Sequence, residues 1–201
     1  MSEDIKISQF AKDYFSKLKN NLDDFDFASL DIATKLIWET YKANKTSFFI
    51  GNGGSAATAS HMANGFAKGT AGFKGDKPWP RFKAISLTES IATFTAWAND
   101  VSYDDIFSEQ LKNLGKKGDL LVAISASGNS PNIIKACQTA KKLGLKVLGL
   151  TGFNGGKVAK ISDVAIVIRD KDYGRVEDLH LLIHHVITEY FFEFLAKKYS
   201  K

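Results

Sequence analysis

One cysteine, three prolines and no apolar run approaching the length of a membrane span are what this 201-residue chain has least of. Each shortage removes a class of protein. With Cys137 alone, neither an intrachain disulfide framework nor a multi-cysteine zinc site can form, a usage that fits a reducing cytoplasmic compartment. Three prolines leave no room for a Pro-rich linker. A bilayer requires roughly 20 consecutive apolar residues. The start, Met1-Ser2-Glu3-Asp4, is acidic with no apolar stretch behind it, so neither a span nor a secretory leader is expected. A Gly-Lys-Ser/Thr phosphate loop is also missing, and Gly51-Asn52-Gly53 lacks the third glycine of the dinucleotide fingerprint, so no nucleotide cofactor is expected.

What is present describes an ordinary globular protein. Hydrophobic residues make up 44% of the chain and charged ones 24%, enough apolar surface for one well-buried core. The net charge of +5 is spread over scattered lysines rather than gathered in a basic, aromatic-studded block, which argues against a nucleic-acid groove. That positive background favours anionic small molecules instead.

Apolar residues Phe10, Tyr14, Phe15 and Leu18, then Leu30, Ala33, Leu36, Ile37 and Tyr41, recur at helical spacing on either side of a polar turn at 20–24, predicting a helical hairpin. Five short apolar or β-branched runs follow, at 46–50, 83–87, 119–125, 146–151 and 163–168, with helix-length segments between most of them. This alternation predicts an α/β fold with a parallel sheet covered on both faces. In such sheets the ligand lies at the carboxyl ends of the strands.

Two glycine- and serine-rich turns fall at such ends: Gly51-Asn52-Gly53-Gly54-Ser55, and Ser125-Ala126-Ser127-Gly128-Asn129-Ser130-Pro131. Pro131 suits the first position of a helix and Ser130 its N-cap, so several hydroxyls and free N–H groups converge on one helix terminus. That chemistry suits a phosphate ester.

These turns, together with His61, Asn99-Asp100, Leu150-Thr151-Gly152 and the pair Arg175 and His180, occur in the order seen in the sugar isomerase (SIS) domains, and the chain resembles most the phosphoheptose isomerases among them. The resemblance implies a three-layer α/β/α sandwich on a five-stranded parallel sheet at 46–201, with the hairpin at 1–45 serving oligomerisation, in a homotetramer with interfacial active sites. It implies aldose–ketose isomerisation through an enediol(ate), most simply of sedoheptulose 7-phosphate to D-glycero-D-manno-heptose 7-phosphate for a bacterial surface polysaccharide. By position, Ser55, Ser125, Ser127 and Ser130 would seat the phosphate, while Asn52, Gly53, Gly54, Asn99 and Asp100 would line the sugar, with Ala126 and Glu177 also among the substrate-binding positions.

The proton-transfer and zinc set departs from the family pattern. A histidine and a glutamate four residues later, with a glutamine and a histidine eight residues apart on a late helix, are expected. This chain has His61 but Gly65, preceded by Asn64, and Glu177 with His185. A carboxylate lost at 65 and gained at 177 leaves His61, Glu177 and His185 as a two-histidine, one-carboxylate set for zinc, with Glu177 and His185 as the catalytic pair. At about 100° per residue, Glu177 and His184 lie within roughly 20° of one helix face and His185 is displaced by roughly 80°. Spacing alone therefore selects His184, whereas the ungapped match selects His185. Gly65 keeps open a non-catalytic SIS scaffold for a protein partner, of the kind that associates with the DnaA initiator, and since nothing here fixes a seven-carbon chain, an isomerase of a different sugar phosphate stays open as well.

Overall fold

The computed structural model describes residues 6–72 and 79–199, so the acidic start lies outside the described residues. The chain opens with α1 (Ile7–Asp23) and α2 (Phe27–Lys42). The break between them sits at 24–26, later than the expected 20–24, because α1 runs on through Lys19 and Asp23, which pair across one turn at 2.9 Å. Asp26 then caps α2, its carboxylate accepting the Ser29 N–H at 3.1 Å.

The sheet comprises β1 (Thr46–Ile50), β2 (Lys83–Ser86), β3 (Leu120–Ser125), β4 (Lys146–Gly152) and β5 (Val164–Ile168), all parallel, in the order β2-β1-β3-β4-β5. The five expected runs match these strands to within a residue at either end. Between them lie α3 (Gly54–Asn64), α4 (Ile91–Asp100), α5 (Ile106–Leu114), α6 (Pro131–Leu143) and α7 (Gly156–Ile161), and the chain closes with α8 (Tyr173–Tyr199).

Successive strand residues point to opposite faces and enter two separate cores. Phe49, Val122, Leu148 and Leu150 pack with α2, α3 and α8 through Ile37, Met62 and Ile183. Phe48, Ile50, Leu121 and Val147 pack with α5, α6 and α7 through Phe107, Ile133 and Val158. Helices thus cover both faces, the expected three-layer arrangement.

β1 has β2 on one side and β3 on the other, so the chain reverses its direction across the sheet between β1 and β3. Helices leaving two adjacent strands there diverge to opposite faces and open a crevice at the strands' carboxyl ends. Both glycine–serine turns rim that crevice.

α1 is held differently from the rest. None of its residues is buried. Leu18 packs against the core from a partly buried position, and two polar anchors add to it: the Tyr14 hydroxyl donates to Asp178 at 2.6 Å, and the Asn21 amide donates to Asp170 at 2.6 Å. Asp170 is itself clamped by the Arg175 guanidinium, Nη2 donating at 2.8 Å, which holds its carboxyl below the usual carboxylate range.

Candidate active site

The first turn is shaped by close packing. A Cβ on Gly51 would run into the Ser55 carbonyl, and Gly53 takes φ of +53°, which admits the tight entry into α3. Ser55 is thereby buried in the first turn of α3, where the Ala56 and Ala57 N–H groups donate to the Gly53 carbonyl at 3.0 and 3.2 Å.

The second turn is braced against the loop after β4. Gly128 takes φ of +64° where a Cβ would strike the Gly155 carbonyl, and the Gly128 carbonyl accepts the Val158 N–H at 2.9 Å. Within the turn the Ser127 hydroxyl accepts the Asn129 N–H at 3.2 Å, and the Ser125 and Ser130 hydroxyls lie 3.3 Å apart. Ser130 occupies the N-cap with Pro131 behind it, yet its hydroxyl bonds no helix N–H and faces Ser125 instead. The Ala126 carbonyl is taken by the Gly152 N–H at 2.8 Å, so this residue serves the turn's backbone.

The two turns are tied together through Asn52 by two residues that sequence reasoning missed, Asn132 and Tyr103. Asn52 and Asn132 exchange amide hydrogen bonds of 2.9 and 2.8 Å, and the Tyr103 hydroxyl donates to the Asn52 carbonyl oxygen at 3.2 Å. Asn132 is buried, and its oxygen also accepts the Ile133 N–H at 3.0 Å. The weak signal was its place two residues into the helix that opens at the serine turn; nothing in the sequence pairs it with Asn52. Beside Asn52 a cavity of about 250 Å³ is lined by Gly53, Ala56, Thr88, Phe94 and Tyr103 among others. Asn99 and Asp100 do not join it. They end α4, exposed, with the Asn99 amide donating to Asp100 at 2.8 Å.

α3 and α8 run side by side in the same sense, Gly54 opposite Glu177 and Gly65 opposite His184. The Glu177 carboxylate occupies the space that any side chain at 54 would take, next to the amino end of α3. Partial burial, with Asp178 adding to it, raises its pKa above the ordinary glutamate value. Seven residues further along α8, about 10 Å at 1.5 Å per residue, stands the histidine group. There one ring nitrogen from each of His61, His184 and His185 lies within 4.8 Å of the others.

Within one chain, the set drawn from the sequence is brought together only in part. His61 and His185 are brought together, but their third partner is His184; Glu177, two turns away, stands outside the cluster. The His61 ring meets both others at centroid distances of 5.0 Å. His184 is buried, its Nδ1 has no hydrogen-bond partner, and a Cβ added at Gly65 would overlap its ring. Burial, with His185 and His61 contributing, pushes the His184 pKa down to about 4. His180, by contrast, is structural: fully buried, its Nε2 donates to the Thr151 carbonyl at 3.2 Å.

Comparisons with known proteins agree with this architecture. The SIS domain family matches residues 12–152. A phosphoheptose isomerase of Chlorobaculum parvum is 38% identical over 177 residues, 88% of this chain and 83% of that protein. One from Sulfurimonas denitrificans is 40% identical over 160 residues, 80% of each. Among solved structures, a phosphoheptose isomerase from Neisseria gonorrhoeae superposes with a TM-score of 0.82 at 28% identity, covering 92% of this chain and 98% of that one. With its fold, its paired turns and relatives matched over most of their length, the chain belongs to the phosphoheptose isomerases of the SIS domain family.

Proposed function

We propose that the protein interconverts sedoheptulose 7-phosphate and D-glycero-D-manno-heptose 7-phosphate by proton transfer through an enediol(ate). The observation that carries this reading is the crevice between β1 and β3, where two hydroxyl-rich turns are locked together by Asn52 and Asn132 beside the Glu177 carboxylate. The phosphate is seated by Ser55, Ser125, Ser127 and Ser130 with the N–H groups of the two helix termini, whose dipoles favour an anion. The sugar lies along Asn52, Gly53 and Gly54.

Isomerisation needs a base that takes the proton beside the carbonyl and returns it to the neighbouring carbon. Glu177 fills this role. A carboxylate with a raised pKa holds a proton more readily than a solvated one and is better matched to work near neutral pH. His185, on the same helix, is the complementary acid or base. A divalent metal at the histidines, when bound, supplies a Lewis acid for the sugar oxygens. No step here requires a nucleotide.

Assembly is part of the same reading. α1 leaves Ile7, Phe10 and Phe15 exposed at 71, 68 and 65%, and a groove of about 450 Å³ between α2 and α8 is lined by Trp38, Tyr190 and Phe194. Apolar surface of this kind marks an interface, which supports the homotetramer. Among the described residues no helix is long and apolar enough to cross a membrane, in keeping with a cytoplasmic enzyme.

Incubation with sedoheptulose 7-phosphate, and in parallel with pentose and hexose phosphates, tests the reading. Turnover of the heptose phosphate, lost by about a hundredfold or more in Glu177→Gln with folding intact, is the expected result. Turnover of a shorter sugar instead would change the substrate. Turnover of none, with a protein partner captured, would favour the scaffold suggested by Gly65.

A further inference from the structure

The His61, His184 and His185 cluster joins two residues at positions the family pattern assigns to a metal with one, His184, that it does not assign. Two of the three rings sit where the resemblance places ligands, but the third is on a residue it does not mention. The expected acid position is Gly65, and the other candidate carboxylate, Glu177, lies two helical turns away.

Several independent observations converge on His184. The ring fills the volume vacated by the absent side chain at 65, since a Cβ there would overlap its Cε1 and approach Nε2 within 2.7 Å. It is only 1% exposed, and its Nδ1 makes no hydrogen bond. The Nδ1 of buried His180 is likewise unpartnered, but among the described residues it belongs to no group of metal-ligating side chains, whereas His184 does. The other two rings are exposed, so the cluster has a closed inner side and an open outer one. Phe66 lines the inner side, its ring 6.3 Å from that of His184, and the Thr188 hydroxyl is spent on the His184 and His185 carbonyls. Among the described residues no aspartate or glutamate joins the group.

We propose that His61, His184 and His185 form an all-imidazole site for one divalent transition-metal ion of the zinc class, in which His184 has taken the place of the missing carboxylate at position 65. Three neutral nitrogens with no carboxylate suit zinc, cobalt, nickel or copper and disfavour magnesium and calcium, which demand oxygen. In a tetrahedral zinc site with bonds near 2.0–2.1 Å, ligand nitrogens stand roughly 3.3 Å apart. The observed spread of up to 4.8 Å closes to that by small rotations of the two exposed rings. Three protein ligands leave a further coordination position facing solvent, the open arrangement of a reactive rather than a purely structural metal. The proposal rests on ring geometry and not on the isomerase reading, so either can fail alone.

The test titrates zinc into the metal-free full-length protein, labelled with ¹⁵N, while its four histidine rings are followed by long-range ¹H–¹⁵N correlation. The expected result is that three rings shift together at one equivalent and the fourth, buried His180, does not. Calorimetry with zinc and magnesium follows on wild type, Glu177→Gln and His184→Asn. Loss of an outer partner alone weakens a metal site about 10–100-fold, so loss of His184 should weaken zinc by at least that factor. Glu177→Gln should leave zinc affinity unchanged, and magnesium should not bind. Zinc shifting only two rings, equal weakening by Glu177→Gln, or no binding at millimolar zinc would each overturn the proposal. Should His184→Asn fail to fold, the spectra and the Glu177→Gln titration still decide it.

Discussion

Gly65 illustrates how one residue's role is set by its neighbour rather than by its own backbone. Its φ of −58° and ψ of −45° are ordinary helical values that any residue adopts. Alanine would therefore gain about 1 kcal/mol of helix propensity, yet its Cβ would overlap the His184 ring. Overpacking of this sort costs about 1–3 kcal/mol. We expect Gly65→Ala to be destabilising by urea unfolding, and the sign to reverse in a His184→Ala background, where the methyl enters vacant space. Stabilisation in both backgrounds would mean that the ring does not occupy that space. Glu177 leads to a second expectation, about pH. Because burial raises its pKa, the acid limb of kcat/KM should lie above the ordinary glutamate value of about 4.3, since protonation removes the base as pH falls. A limb at or below that value would remove Glu177 from the proton-transfer role.

At the scale of elements, the two turns behave as one unit only because α6 reaches across to the turn after β1. Removing the Asn132 side chain orphans the Asn52 amide and the Ile133 N–H together. The cost of leaving buried polar groups unpaired is about 1–3 kcal/mol. Asn132→Ala should lower stability by that amount and raise KM for the phosphorylated substrate more than it lowers kcat, because the turns that seat the phosphate lose their mutual register. A variant with normal KM would show that each turn holds its shape alone. The helices α3 and α8 carry the complementary lesson. Heptad-like spacing on α8 correctly grouped Glu177 with His184 on one face, but a shared face is not a shared site. The rise of the helix separates the two by about 10 Å, and only their opposing partners, Gly54 and Gly65, reveal that each faces a different part of α3.

For the whole molecule, acid stability should be governed first by buried histidine. Burial pushes the His180 pKa down to about 4. Above roughly pH 6.5 the ring is neutral in both folded and unfolded chains and contributes nothing to the pH dependence. Between 6.5 and 4 the unfolded chain takes up a proton that the folded one refuses, so stability falls as acid is added, by up to about 3 kcal/mol. Asp170 acts lower. Its carboxyl is depressed by Arg175, so its contribution is full above the unfolded aspartate value near 3.9 and is lost only as pH falls toward the folded one. Urea midpoints measured across this range should decline from about pH 6.5 downward, and because burial pushes the His184 pKa down to about 4 as well, His180→Asn should remove about half of the decline. A flat profile in wild type down to pH 4 would contradict it. The bare stripe of α1 leads to the remaining expectation. Since Phe10 and Phe15 are exposed within one chain, Phe10→Glu with Phe15→Glu should alter the unfolding free energy of a single chain by only about 0.5 kcal/mol. The same pair should shift the sedimenting species to a smaller one. Unchanged sedimentation would place the interface elsewhere.

The sandwich was legible in the amino-acid order because its cause is local: alternation of short apolar runs with helix-length segments dictates a covered parallel sheet, and glycine, serine and proline mark turns through their own backbone preferences. The paired amides of Asn52 and Asn132, the exclusion of Asn99 and Asp100 from the crevice and the choice of His184 over Glu177 as third member of the histidine cluster were decided only in three dimensions. Each depends on which helix lies opposite and how far along it, a distance between segments remote in sequence that no local preference encodes.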